Sequence, residues 1–157
     1  MARIDLPSGD GLEVARALML APQFADVVAG YEKAVARTTL DRRLHELVRY
    51  RVAQLNNCQV CLRFRWDSGV DEHVLAQVAH WETSAEFTAV ERAALSFTEQ
   101  FCRNSAGIPD SLVAELQTLL SPGQVVELTL VVGKYVAMGR FMQVLGLDQA
   151  CDLSPAR

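Results

Sequence analysis

The chain has no apolar run of about 18 residues, the length needed to cross a bilayer. Its first fifteen residues, MARIDLPSGDGLEVA, lack the long apolar core of a signal peptide. No block of basic residues appears, no aromatic-interleaved basic patch, and the net charge is −4. Nucleic acid is therefore not an expected partner, and neither is a membrane. Histidine is scarce, with three in 157 residues. No second C-x-x-C and no paired-histidine motif accompany the single C-x-x-C, so no metal site is expected. No nucleotide-binding or haem motif is present, and no cofactor is expected. Internal repeats and low-complexity segments are missing too. Four cysteines without an export signal point to a reducing compartment, with the cytoplasm as the expected location.

What remains is an ordinary globular composition, half hydrophobic and 22% charged, in a length that fits a single domain over residues 1–157. The pattern is helical throughout. Residues 1–11, with Pro7, Gly9 and Gly11, read as loose. Short and medium helices are expected over 12–20, over 23–36 with Pro22 in the first turn, and over 40–55. A fourth is expected over 58–67, stopped by Gly69, and a fifth over 72–81 with Asp71 as N-cap. Thr88 and Glu91 form a capping box for a helix over 89–103. Another covers 112–120. Ser121, Pro122 and Gln124 then start a last helix that runs to Leu145. Its stretch Val125 to Val132 is apolar on most sides, which implies a central position or a subunit interface. Gly133 and Gly139 would let a neighbouring helix approach. Cys102 reads as a buried thiol, and the tail 148–157, with Cys151, as peripheral.

Chemistry concentrates between Glu46 and Trp66. Cys58 and Cys61 lie one helical turn apart, close enough for a bond to form and break. Asn56 and Asn57 favour a turn or cap, which places Cys58 at a helix start, where a thiolate is favoured. The spacing admits three readings: a redox couple, two buried small hydrophobes, or half of a zinc site. Glu46 lies off the apolar stripe Leu44, Leu47, Val48, Leu55. Arg42 and Arg49 flank it at helical spacing, so the residues alone suggest a solvated ion pair. His45 is about 100° away from Glu46 around the helix and reads as a surface or packing histidine. Leu62, Phe64 and Trp66 read as core before pocket wall. Arg65 falls one turn after Cys61 and is the arginine assigned to the site, against the alternative of a surface pair with a neighbouring acid. His73 and His80 read as ordinary helix residues, with His80 the alternative base.

The run Glu46-Leu47-Val48, Arg51-Val52-Ala53-Gln54-Leu55-Asn56, Cys58-x-x-Cys61 resembles the carboxymuconolactone decarboxylase / AhpD-like alkylhydroperoxidase family. Trp81-Glu82-Thr83-Ser84 with Phe87, then Glu91-Arg92-Ala93-Ala94-Leu95, extend the match. So do Val126-Glu127-Leu128-Thr129, Arg140-Phe141 and Leu145-Gly146. The resemblance spans about residues 12–147 and implies an all-α, AhpD-like bundle of about six to eight helices that forms homo-oligomers. In the peroxidase branch it implies that Cys61 attacks a hydroperoxide, Cys58 resolves it as a disulfide, and an inward Glu46 serves as acid/base. Where that branch has a relay histidine, this chain has Arg65. Arginine can stabilise a thiolate but cannot shuttle a proton near neutral pH. Three functions follow: a thiol-dependent antioxidant enzyme served by an external dithiol, a catalytically divergent relative, or a decarboxylase-type enzyme.

Overall fold

The computed structural model describes residues 2–148. Its elements are α1 (Glu13–Met19), α2 (Pro22–Val35), α3 (Arg42–Leu55), α4 (Gln59–Arg63), α5 (Glu72–Gln77), α6 (Ala89–Asn104), α7 (Asp110–Leu119) and α8 (Pro122–Leu145). Single 3₁₀ turns follow α5 and α6. No strand occurs among the described residues. The expected all-α architecture is thus the observed one.

Local chemistry sets most helix ends. Asp41 caps α3 by accepting from the Arg43 and Leu44 amides. Asp71 caps α5, as expected. Thr88 with Glu91, and Ser121 with Gln124, form complete capping boxes for α6 and α8. Two helices end in the same Schellman arrangement. After α3, Asn57 takes φ 50°, and the amides of Asn57 and Cys58 bond back to Gln54 and Ala53. After α8, Gly146 takes φ 67°, and Gly146 and Leu147 bond back to Gln143 and Met142. Beyond it the Asp148 carboxylate accepts from the Glu13 and Val14 amides, which ties the end of α8 to α1.

α3 is the centre of the bundle. Every residue from Leu44 to Arg49 is buried. Leu44, Val48 and Val52 join Ala94 and Phe97 of α6 and Leu128 and Val132 of α8 in the main core. Leu47 faces a second cluster with Leu75, Val78 and Leu95. A third cluster joins Ala17, Cys58, Val60, Met142 and Leu147. α8 runs about 36 Å at 1.5 Å per residue and walls both the main core and the cysteine layer. Its early stretch is not buried all round, because Val126 and Leu130 stay exposed while Leu128, Val131 and Val132 are covered. Gly139 does serve a close approach: a Cβ there would press on the Asn56 side chain, with Cγ at 3.1 Å. Cys102 is half-buried, and burial pushes its thiol pKa up. Cys151 lies outside the described residues.

Candidate functional site

The Schellman turn at Asn57 reverses the chain after α3 and delivers Cys58 as the N-cap of α4. Cys58 and Cys61 are joined by a disulfide, with Cα atoms 5.2 Å apart. Their environments differ. Cys58 is fully buried, whereas Cys61 lines a cavity of about 340 Å³. The expected helix over 58–67 is shorter in the structure. α4 ends at Arg63, and Phe64 is already extended. A five-residue helix brings both sulfurs together but cannot carry Arg65 one turn above Cys61.

Arg65 instead makes a two-bonded fork with Glu72, at 2.8 and 2.9 Å. It also donates to the carbonyls of Leu62 and Phe64, and its guanidinium lies over the Tyr50 ring. The Glu72 bond is the main reason its pKa is raised, and the same bond lowers that of Glu72. This is the surface pairing that stood as the alternative for Arg65. Leaving the helix early has a second effect. Phe64 is 52% exposed, and both Phe64 and Trp66 border the cavity. They are pocket wall, where core was expected, because an extended strand of chain lays them along the opening.

Glu46 points inward and is fully buried, so the solvated ion pair is corrected. Its partner is nevertheless Arg49, three residues on. Arg49 Nε donates to Oε2 at 2.9 Å and Nη2 to Oε1 at 2.6 Å. The amides of Trp66 and Asp67 donate to Oε2 at 3.1 and 3.3 Å. Arg49 Nη1 then donates to the Cys61 carbonyl at 2.6 Å. Glu46 therefore reaches the cysteine turn through Arg49, and the buried charges neutralise each other at bonding distance. The off-stripe face of α3 is covered because the cysteine turn packs over it.

His45 is buried, as a packing histidine, and not at the surface. Its Nε2 lies 2.9 Å from the Tyr135 hydroxyl, its ring centroid 3.8 Å from that of Trp66. Burial, then Lys134, Arg49 and Arg42, lower its pKa to about 4. Tyr135 borders the cavity, and burial raises its phenol pKa. Lys134 also borders it, buried, 2.5 Å from Glu32 and with its ammonium over the Tyr135 ring. Burial lowers its pKa against the opposing pull of Glu32. His80 is exposed and does not line the cavity, and His73 is exposed beside Glu86.

The structure thus brings together Cys58, Cys61 and, through Arg49, Glu46. It sets Arg65 aside with Glu72. Sequence reasoning missed Arg49, Lys134 and Tyr135. The spacing of Arg49 from Glu46 was a usable signal, but its burial was not visible. Lys134 and Tyr135 sit on α8, some 70 residues beyond the cysteines by numbering, and no local pattern marks them. No cluster of metal-ligating side chains occurs among the described residues.

A family model for the carboxymuconolactone decarboxylase family matches residues 22–100. YdfG of Bacillus subtilis, an uncharacterised protein, is 24% identical over 132 residues, 81% of this chain and 90% of its own. The crystal structure of ATU0492 from Agrobacterium tumefaciens, a protein of unknown function assigned to AhpD-type antioxidant defence, aligns over all of both chains with TM-score 0.78 and 20% identity. A peroxidase-related protein from Silicibacter sp. TM1040 aligns with TM-score 0.78 and 17% identity, over 93% of this chain and 90% of its own. These two structures share the fold, and the match over residues 22–100 carries the kinship: the chain belongs to the carboxymuconolactone decarboxylase family, in its AhpD-like helical form.

Proposed function

We propose that the protein is a thiol-dependent antioxidant enzyme that reduces organic hydroperoxides through the Cys58–Cys61 pair. One observation carries this reading: two bonded cysteines of unequal access, Cys58 sealed in the core and Cys61 open to an apolar cavity. The Cys61 thiolate attacks the terminal peroxide oxygen. The S–O bond forms, the O–O bond breaks, and the leaving alkoxide takes a proton to become an alcohol. Cys58 then displaces water from the sulfenic acid to give the disulfide. An external dithiol returns both sulfurs to the thiol state. The cavity volume suits a small organic molecule. The similarity to a peroxidase-related protein points the same way.

In this scheme Arg49 supplies positive charge beside the Cys61 turn, and Glu46 holds Arg49 in place. All its bonds to the neighbouring amides and guanidinium suit that anchoring role better than proton transfer. Arg65 closes the turn that lays Phe64 and Trp66 along the cavity. Subunits associate through apolar faces left exposed on α2 and α8, including Phe24, Val27, Val126 and Leu130.

The test is consumption of cumene hydroperoxide in the presence of dithiothreitol by the wild type, Cys61→Ser and Arg65→His. The expected result is turnover in the wild type, none in Cys61→Ser, and a similar rate in Arg65→His. Turnover that appears only in Arg65→His would establish the divergent reading, with the native chain serving another reaction.

A further inference from the structure

The neutral imidazole of His45 carries one N–H, and its two nitrogens have different surroundings. Nε2 faces the Tyr135 hydroxyl at 2.9 Å. Nδ1 is buried without a hydrogen-bond partner among the described residues. If the proton sat on Nδ1, a buried N–H would be left unpaired. Orphaned buried N–H groups are rarer than under-used acceptors. The proton therefore belongs on Nε2, which donates to the Tyr135 oxygen, and the orphan at Nδ1 is a lone pair. The tilted Trp66 ring packs against the imidazole and holds it in this orientation.

This assignment releases the phenol's own hydrogen. No other hydrogen bond to the Tyr135 hydroxyl is present among the described residues. Tyr135 borders the same cavity as Cys61, Arg49 and Trp66. We infer that the Tyr135 hydroxyl donates a hydrogen bond into that cavity, to the leaving oxygen of an organic hydroperoxide, with His45 as the positioning residue that turns the proton inward. The inference rests on the peroxidase reading. As the Cys61 sulfur takes the terminal OH, the electron pair of the broken O–O bond stays on the leaving oxygen. The Tyr135 bond stabilises that charge, and a proton from water completes the alcohol. The phenol hydrogen can turn into the cavity because Nε2–H already occupies the Tyr135 oxygen as its acceptor.

The experiment is a single turnover of the fully reduced protein, with loss of free thiol followed after mixing with cumene hydroperoxide or with diamide. Diamide oxidises dithiols without an O–O bond to break. Tyr135→Phe removes one oxygen atom and should slow the cumene hydroperoxide reaction about 10- to 100-fold, the cost of losing one bond to a charged oxygen, while the diamide rate stays unchanged. His45→Leu should slow it likewise, and His45→Gln, whose amide N–H can donate to Tyr135, should restore most of the rate. A restored rate separates positioning from packing. If His45→Leu does not fold, Tyr135→Phe alone decides. Equal peroxide rates in wild type and Tyr135→Phe would overturn this inference and leave the peroxidase reading standing. A wild type that reacts with diamide but is inert to the peroxide would overturn both.

Discussion

Arg49 is the side chain on which the cysteine turn is hung. It is 2% exposed and bonds at once to Glu46 and to the Cys61 carbonyl. Removing one partner of such a pair strands a buried charge, so Arg49→Met should cost about 3–5 kcal/mol in urea denaturation at neutral pH. Glu46→Leu combined with Arg49→Met should recover only part of that, because the Trp66 and Asp67 amides lose their acceptor. His45 supplies a pH dependence. Its folded pKa, about 4, lies below the ordinary value near 6.5. Between these values the unfolded chain binds the proton and the native state does not, so stability rises with pH across the window and falls as pH drops through it. The contribution should reach on the order of 2–3 kcal/mol by pH 7. Comparing urea midpoints of wild type and His45→Gln at pH 4.5 and pH 7 isolates it. A steeper loss in the variant on acidification would contradict the buried neutral imidazole.

At the scale of elements, two glycines of α8 should behave oppositely. A Cβ at Gly133 meets Phe101 Cζ at 3.7 Å, an ordinary contact. Gly133→Ala should therefore raise stability, by up to about 1 kcal/mol from helix propensity. Gly139→Ala drives a methyl into Asn56, whose buried side chain donates to the Tyr135 carbonyl. It should cost about 1–3 kcal/mol despite the same propensity gain. Thermal unfolding of the two variants checks the opposed signs. The α3 cap gives another element-level test. Asn57 holds a left-handed conformation that a β-branched residue resists. Asn57→Val should destabilise by about 1–2 kcal/mol and slow disulfide formation, since it misplaces Cys58, while Asn57→Gly should be nearly neutral.

At the scale of the molecule, the apolar side chains left uncovered lie on specific helices. Phe24 and Val27 on α2 and Val126 and Leu130 on α8 are each more than half exposed. Such faces favour association between copies. Sedimentation of the wild type should give a species larger than 17.3 kDa, and Val126→Lys with Leu130→Glu should shift it toward the monomer. A monomeric wild type at micromolar concentration would remove this reading. The second cavity beside these residues is lined by Tyr31, Thr38, Glu127 and Leu130. There Glu127 is occupied by the hydroxyls of Thr38 and Thr39 and the Thr39 amide.

What the chain determined by itself is whatever depends on neighbours within a few residues. Caps at Asp71, Thr88 and Ser121, the Asn-Asn turn, the position of Cys58 at a helix start and the helical class all follow from such short-range chemistry. Only the tertiary structure decided which faces are buried. Between Leu44 and Arg49 α3 is covered on every side, so the stripe that marks one buried face in a surface helix could not show that Glu46, His45 and Arg49 are enclosed as well. α4 stops at Arg63, and Arg65 turns to Glu72, because the chain leaves the helix to lay Phe64 and Trp66 along the cavity. Tyr135 meets His45 across ninety residues of sequence, through the packing of α8 on α3. Burial is a property of the assembled bundle, and the charge state and reach of a side chain follow from burial.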